Sequence, residues 1–86
     1  GFGLLNAYPN TFNPSTNIQY KLNEMGNIAI RLFNLNGEFL EELSNAVQPS
    51  GDYTLRFDGS QYPSGIYLIE LKTENYRDTQ IITLLK

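Results

Sequence analysis

The side chains that could do chemistry in this chain are its carboxylates, because histidine and cysteine are both absent. Nucleophilic catalysis of the Ser/His or Cys/His type is therefore excluded, and a zinc site is disfavoured. A Ca²⁺ site needs several oxygen ligands that converge within one or two loops. Instead, the chain has one cluster of acidic residues, Glu38, Glu41 and Glu42, and three scattered aspartates, Asp52, Asp58 and Asp78. This spacing indicates that the acidic residues form a solvated face, which discourages edge pairing of strands. We expect neither a metal ion nor a cofactor.

The length of the chain argues against a paired-carboxylate hydrolase. Such an enzyme needs a cleft around its substrate, and at 86 residues a single domain has only just enough core. Hydrophobic residues make up 41% and charged residues 17% of the chain, which is typical of a folded domain. We therefore expect a folded domain that is not an enzyme.

The charge distribution disfavours nucleic acid and anionic membranes as partners. The formal net charge is -3, and the six lysines and arginines are scattered rather than gathered in a basic stripe. A membrane helix needs a run of about 18 apolar residues, and the sequence has none. The sequence begins at Gly1 with neither an initiator methionine nor a secretory signal pattern. We interpret it as a module of a longer protein, with Lys86 as a candidate for the natural end of that protein.

Two predicted strands organise the chain. Apolar and polar residues alternate over 51–58, the period-two pattern of a strand with one buried face, which would carry Phe57. A turn follows at 63–65, where proline fixes φ and glycine supplies backbone conformations that a residue with Cβ resists. Residues 66–71 form the second strand, with Tyr67 on its apolar face. We predict that the two strands face each other across this turn.

The other strands are predicted from shorter patterns. Residues 4–8 indicate an edge strand that is stopped by proline, and 17–22 alternate clearly. The pair Asn36-Gly37 predicts a hairpin with a type I′ turn. Beyond it, the apolar residues of 38–43 do not share one parity, which predicts a bulge or an early strand end before a polar loop over 44–50.

The last strand, 76–85, carries two apolar sets on opposite parities, Ile82 with Leu84 and Ile81 with Leu85, so its buried face is undecided. No segment has a sustained helical period. Six or seven strands, separated by turn signals about 8 to 12 residues apart, indicate an all-β fold, an antiparallel β-sandwich.

The segment 8–16 is dense in turn-forming residues and allows two interpretations. In the first it is a strand connector, in which prolines set φ, asparagines bond nearby backbone and Phe12 plugs one end of the core. In the second it contacts a partner directly, and the two are compatible because a rigid exposed loop is a good recognition element. Tyr67 has the same two interpretations, as a core tyrosine or a contact residue, whereas Gly65 is expected to serve the backbone alone.

Three stretches match the motifs of one family in the same order. They are Tyr-Pro-Asn-Thr-Phe-Asn-Pro-Ser-Thr at 8–16 with Ile18 and Tyr20, Phe-Asn-Leu-Asn-Gly-Glu at 33–38, and a C-terminal half comprising 51–58, Pro-Ser-Gly-Ile-Tyr at 63–67 and Ile-Ile-Thr-Leu-Leu-Lys at 81–86. Over 8–86 the chain resembles the type A C-terminal sorting domain of the type IX (Por) secretion system. Thr11 stands where the family usually has a second proline. The flagellar hook-capping protein has an immunoglobulin-like domain with a similar C-terminal half, but it lacks the Asn-Pro-Ser-Thr opening.

The resemblance implies an immunoglobulin-like or fibronectin-like antiparallel β-sandwich of about seven strands at 8–86, with 1–7 as a linker or first edge strand. It implies a non-catalytic sorting signal at the C-terminus of an exported cargo protein in a Gram-negative bacterium. An outer-membrane shuttle and translocon would read the folded domain in the periplasm, and the cargo would be secreted or held at the cell surface. Often a sortase-like peptidase removes such a domain, and both cleavage and retention stay open here. The residues that the resemblance assigns to partner recognition are Pro9, Asn10, Phe12, Asn13, Pro14, Gly65, Tyr67 and Lys86.

A second function class is a carbohydrate-binding or adhesive sandwich attached to a secreted enzyme. Aromatic platforms for sugars favour tryptophan, which is absent, although Tyr62 and Tyr76 lie near turns where they could be exposed. A third interpretation, a passive spacer domain, is excluded by no feature of the sequence.

Overall fold

The computed structural model describes the backbone of residues 3–8 and 11–86 and the side chains of Ala7 and residues 13–86. The described residues form eight strands: β1 Gly3–Tyr8, β2 Thr11–Phe12, β3 Ser15–Leu22, β4 Gly26–Asn34, β5 Phe39–Gln48, β6 Gly51–Asp58, β7 Gly65–Lys72 and β8 Arg77–Leu84. They form two sheets, ordered β1-β3-β6 and β2-β8-β7-β4-β5. In these residues we find no helix with the length and apolar character needed to cross a membrane. The predicted immunoglobulin-like β-sandwich is confirmed.

The three-stranded sheet is built on β3. This strand pairs antiparallel with β1 on one side and with β6 on the other, from Ser15↔Asp58 to Leu22↔Gly51. Its apolar residues Ile18, Tyr20 and Leu22 are buried while the intervening residues are exposed. The alternation in the sequence therefore becomes one face on the core and one face in water, as the pleat of a strand requires.

The five-stranded sheet is antiparallel except at β2, which pairs in parallel with β8 through Phe12↔Leu84 and one neighbouring pair. The buried face of β8 is the one that carries Ile82 and Leu84, whereas Ile81 is 55% exposed. Ile82 lies opposite the buried Tyr67 of β7, and opposed residues on neighbouring strands share a face. The pairing with β7 thus decides between the two apolar sets.

The two organising strands, β6 and β7, lie in opposite sheets and face each other across the core rather than forming a hairpin. Phe57 of β6 is buried, and the Tyr62 ring lies between the rings of Phe57 and Tyr67, with centroid separations of 6.2 and 5.8 Å. Tyr53 and Leu55 also pack against the core but are only partly buried. The predicted apolar face of β6 is therefore confirmed.

The type I′ turn predicted at Asn36-Gly37 is wrong. Gly37 has φ of 81°, but no residue other than glycine in the described part of the chain has positive φ, and a type I′ turn requires it at both central positions. Asn34 and Glu38 close a three-residue loop, since the Asn34 N–H donates to the Glu38 carbonyl (3.1 Å) and the Gly37 N–H donates to the Asn34 carbonyl (3.1 Å). The Asn34 side chain favours this loop, because its Oδ1 accepts from the backbone amides of Asn36 and Glu38.

Strand β5 has the bulges that its mixed parity predicts, but it is longer than expected. Its register against β4 shifts twice, so that Leu40 and Leu43 have no directly opposed residue. Pairing then continues to Gln48, where a polar loop over 44–50 was predicted. The loop prediction is wrong because a largely exposed edge strand needs no apolar alternation: backbone hydrogen bonds to β4 suffice.

Candidate partner-binding site

One end of the sandwich brings together the loop before β3, the β6–β7 connection and the residues after β8; we call it the β6–β7 end. The Gly59 N–H donates to the Pro14 carbonyl (2.8 Å). The Lys86 N–H donates to Ser64 Oγ (3.0 Å), and the Lys86 ammonium donates to the Ser60 carbonyl (2.6 Å). Three segments that are distant in the sequence are therefore held in one surface.

The β6–β7 connection has its own local hydrogen bonds. Asp58 Oδ1 accepts from the Ser60 N–H (2.9 Å), and the Tyr62 N–H donates to the Gly59 carbonyl (3.0 Å). The hydrogen bonds from the Ser60 backbone and side chain, aided by the charges of Arg56 and then Lys86, lower the pKa of the exposed Asp58 carboxyl below its ordinary value. The Asp58 carboxylate of this connection and the Lys86 ammonium of the chain terminus thus lie close enough to interact on one surface.

Tyr62 ties this connection to the five-stranded sheet. Its hydroxyl donates to Glu41 Oε1 of β5 (2.5 Å). Burial, with a smaller effect from the Glu41 carboxylate, raises the pKa of Tyr62 to about 12. The phenol therefore stays protonated as a donor. Tyr62 and Tyr76 are both half-buried, so neither is the fully exposed aromatic platform on which the sugar-binding alternative depends.

Tyr67 supports the β6–β7 end from the core. It is 7% exposed, and its hydroxyl donates to the Pro63 carbonyl, four residues earlier, at 2.6 Å. This is the tyrosine corner of immunoglobulin-like sandwiches, in which a tyrosine near the start of a strand bonds backbone upstream. Gly65 lacks positive φ, and a Cβ there would meet only the Tyr67 ring at 3.8 Å. The glycine-only backbone predicted for Gly65 is therefore wrong.

The structure gathers part of the predicted recognition set. Pro14, Gly65, Tyr67 and Lys86 lie at the β6–β7 end, and Asn13 precedes Pro14 in the exposed loop. Phe12 is in β2, where its backbone pairs with Leu84, and its side chain lies outside the described residues. The expected sites Pro9 and Asn10 also lie outside them.

The sequence patterns do not predict the contacts that join the three segments. Gly59, Ser60 and Ser64 supply a backbone donor, a backbone carbonyl and a hydroxyl to the other two segments. The only signal for them in the sequence is their place in a turn-rich stretch, and this predicts a loop without predicting its neighbours.

A cleft of about 220 Å³ lies at the end of the sandwich opposite the β6–β7 end, where it is bordered by the β3–β4 and β7–β8 turns, including Met25, Thr73 and Tyr76. Among the residues that the structure describes, no three acidic side chains are grouped so that they could hold a metal ion. The β6–β7 end is therefore a surface of loops and chain terminus that are joined by hydrogen bonds.

Removing the hydroxyl of Tyr67 tests the tyrosine corner. We expect Tyr67→Phe to lower the free energy of unfolding by about 1–1.5 kcal/mol, because a part-buried hydrogen bond to a carbonyl is lost. Tyr53→Phe is the matched control, since its hydroxyl also donates to a proline carbonyl at 2.6 Å, that of Pro49, but in an exposed position. We expect it to cost less than about 0.5 kcal/mol. Urea unfolding measures both, and equal losses would contradict a specific role for the corner.

Comparison with known proteins adds the family. A model for the secretion system C-terminal sorting domain matches residues 6–84, which is nearly the whole chain. A comparison with curated proteins found no match. The matched range includes the loop before β3 and all but the last two residues of the β6–β7 end. The chain belongs to the secretion system C-terminal sorting domain family, whose members are sorting signals of the type IX secretion system.

Proposed function

We propose that this domain directs a larger protein across the outer membrane through the type IX translocon, and that the translocation machinery recognises the β6–β7 end. The observation that carries the proposal is the joining of the loop before β3, the β6–β7 connection and Lys86 by hydrogen bonds. Membership of the family gives the coarser statement, a type IX sorting signal with an exported destination, and sorting domains of this kind are in general non-catalytic. We take 8–86 as the sorting domain, and β1, which begins at Gly3, as the edge strand that leads into it.

The course of the chain supports this choice of surface. β1 begins at Gly3, opposite Leu22, and so at the end of the sandwich remote from the β6–β7 end. β8 finishes at Leu84, opposite Gly65, within the β6–β7 end. The family places its cargo N-terminal to the sorting domain. Cargo attached before β1 would therefore leave the β6–β7 end accessible.

The chemistry of the surface fits recognition by a protein. Asn13, Pro14 and Lys86 are exposed, and the hydrogen bonds that join the segments fix their relative positions before any partner arrives. A preorganised surface loses less conformational entropy on binding. We propose Pro9, Asn10, Phe12, Asn13, Pro14 and Lys86 as direct contacts, with Gly65 and Tyr67 as support beneath them.

The proposed partners are an outer-membrane shuttle and translocon, which would meet the folded domain in the periplasm. A sortase-like peptidase would then remove the domain, so that the cargo is released or attached to the cell surface. Retention of the domain on a surface-held cargo is the other outcome. The mass of the reporter protein in the extracellular fraction distinguishes cleavage from retention, because cleavage leaves the reporter without the domain.

An export assay tests the proposal. Residues 1–86 are fused behind a signal peptide and a fluorescent reporter, in a host with an intact type IX system and in a strain that lacks the translocon. We expect the reporter outside the intact cells and trapped in the periplasm of the mutant. Periplasmic retention in both strains would contradict the proposal, and pelleting of the isolated domain with cellulose, xylan or chitin would then favour the sugar-binding alternative.

A further inference from the structure

The edge of the three-stranded sheet at β6 is long and regular, and it carries the charged residues Asp52, Arg56 and Asp58 on its outer face. β5, the edge of the other sheet, is interrupted by two bulges and carries Glu41 and Glu42. β6 pairs with β3 in unbroken register over Gly51–Asp58, and within the described ranges no strand pairs with its outer side. A long, regular free edge is a template for another strand, and natural proteins usually block it with bulges, prolines or charged side chains. On β6 there is neither a bulge nor a proline, and the arrangement of its charges decides whether they oppose or favour pairing.

The core is incomplete along this edge. Tyr20 and Ile18 of β3 are buried, whereas the β6 residues directly opposite them, Tyr53 and Leu55, are only partly buried. All four pack against the same core, and the Tyr20 and Tyr53 rings are stacked with centroids 5.2 Å apart. A strand added beyond β6 would cover the partly exposed pair.

The sequence of β6 is complementary to itself in one antiparallel register. When Thr54 lies opposite Thr54 of a second copy, Asp52 lies opposite Arg56, and symmetry makes this pair twice. The inner face then pairs Tyr53 with Leu55. Opposite charges on directly opposed residues stabilise a strand pair. The register centred on Leu55 instead sets Asp52 against Asp58, like charges that oppose it.

Each of the two charges already has a polar or charged neighbour within its own sheet, and each stays exposed to a second copy. Arg56 lies opposite the uncharged Asn17 within its own sheet, and its guanidinium donates to Ser15 Oγ at 2.7 Å. Asp52 is exposed at the opposite end of the strand, across from Lys21. Both charges lie on the outer face of the sheet, so a second β6 could bring them together without burying them.

We propose that β6 is a self-association edge, which pairs antiparallel with β6 of a second copy of this chain about Thr54. The result is a continuous six-stranded sheet, β1-β3-β6 followed by the same strands of the other copy in reverse order. Because the central strands run in opposite directions, the two β6–β7 ends point away from each other and stay accessible. The inference does not depend on the proposed sorting function.

Charge reversal tests the register in the full 86-residue chain by sedimentation equilibrium. We expect a dimer whose dissociation constant rises at least about tenfold in Asp52→Lys and in Arg56→Glu, because attraction becomes repulsion in two symmetric pairs. The double variant restores opposite charges and should return to within about threefold of the native value. Lys72→Glu and Glu74→Lys make the same charge changes at exposed positions away from β6 and should leave dimerisation unchanged.

A chain that stays monomeric to millimolar concentration would overturn the proposal. A dimer that is indifferent to the three β6 variants would also overturn it, as would a folded double variant in which association is not restored. Unfolding midpoints of each variant separate lost pairing from lost folding. This control matters because Asp52→Lys introduces a second positive charge across from Lys21 within the same sheet.

A cross-linking measurement checks the symmetry axis independently. The chain has no cysteine, so Thr54→Cys introduces a single thiol where the two copies meet. We expect a short thiol-reactive linker to give a covalent dimer with Thr54→Cys and none with Thr79→Cys, a position on the other sheet. Equal cross-linking of both variants would contradict pairing about Thr54.

Discussion

Replacing Phe57 with alanine is expected to lower the free energy of unfolding by about 3–5 kcal/mol. The side chain is 4% exposed and lies on the inner face of β6. Its ring contacts Tyr62, which in turn contacts Tyr67 of the opposite sheet, so truncation removes contacts between the two layers as well as apolar area. Small domains have total stabilities of about 5–15 kcal/mol, so this loss is a large part of the whole.

Denaturant unfolding measures the effect, with Gln19→Ala as the control. Gln19 lies on the exposed face of β3, the strand that pairs with β6, and its truncation should change stability by less than about 0.5 kcal/mol. An unchanged denaturant midpoint in Phe57→Ala would mean that the inner face of β6 is wrongly assigned.

Replacing Lys86 with alanine is expected to reduce export of a reporter fused to this domain about tenfold. If the ammonium contacts the translocation machinery, its removal costs a hydrogen bond to a charged group, about 1.5–3 kcal/mol, and each 1.4 kcal/mol is about a factor of ten in affinity. Lys86 is exposed, so the loss of its hydrogen bond to the Ser60 carbonyl should change folding stability by no more than about 0.5 kcal/mol.

Lys72→Ala is the matched control for this export assay. Lys72 is an exposed lysine at the end of β7, on the side of the sandwich remote from the β6–β7 end. We expect its export to equal that of the unchanged domain. Equal losses of export in the two lysine variants would show that total charge matters rather than the position of the lysine. A loss of export in Lys86→Ala that parallels a loss of folding stability would favour a purely structural role for Lys86.

The fold could be predicted from the sequence wherever one face of a strand is buried. β3 and β6 show this, because burial of alternate residues leaves a period of two in the sequence. β8 could not be resolved, since apolar residues occupy both faces and only its pairing with β7 selects Ile82 and Leu84. The prediction ends β5 too early, because an exposed edge strand carries no such period in its sequence.

The hairpin after β4 illustrates a different limit. Asn36-Gly37 is a strong signal for a tight turn, but the turn type also depends on Asn34, whose side chain accepts two backbone amides and lengthens the loop to three residues. A dipeptide rule does not include the residue before the turn. The predicted position of the hairpin is therefore confirmed, and its predicted turn type is wrong.

The candidate site was predictable in its segments but not in its assembly. The motifs mark the loop before β3, the turn before β7 and the chain terminus, and they cannot reveal that Gly59 bonds Pro14 or that Lys86 bonds Ser60. These hydrogen bonds join residues 45 and 26 positions apart (59 minus 14, and 86 minus 60). Such contacts depend on how the two sheets stack, which local patterns do not encode.

Site-specific photo-cross-linking during export tests most directly whether the β6–β7 end is the surface that the machinery reads. A photoreactive residue replaces Gln61, exposed in the β6–β7 connection, or Met25, which is 67% exposed at the opposite end. The reporter fusion is then irradiated in cells with an intact type IX system. We predict cross-links to outer-membrane components of that system from position 61 and none from position 25. Cross-links from position 25 alone, or equally from both, would contradict the account.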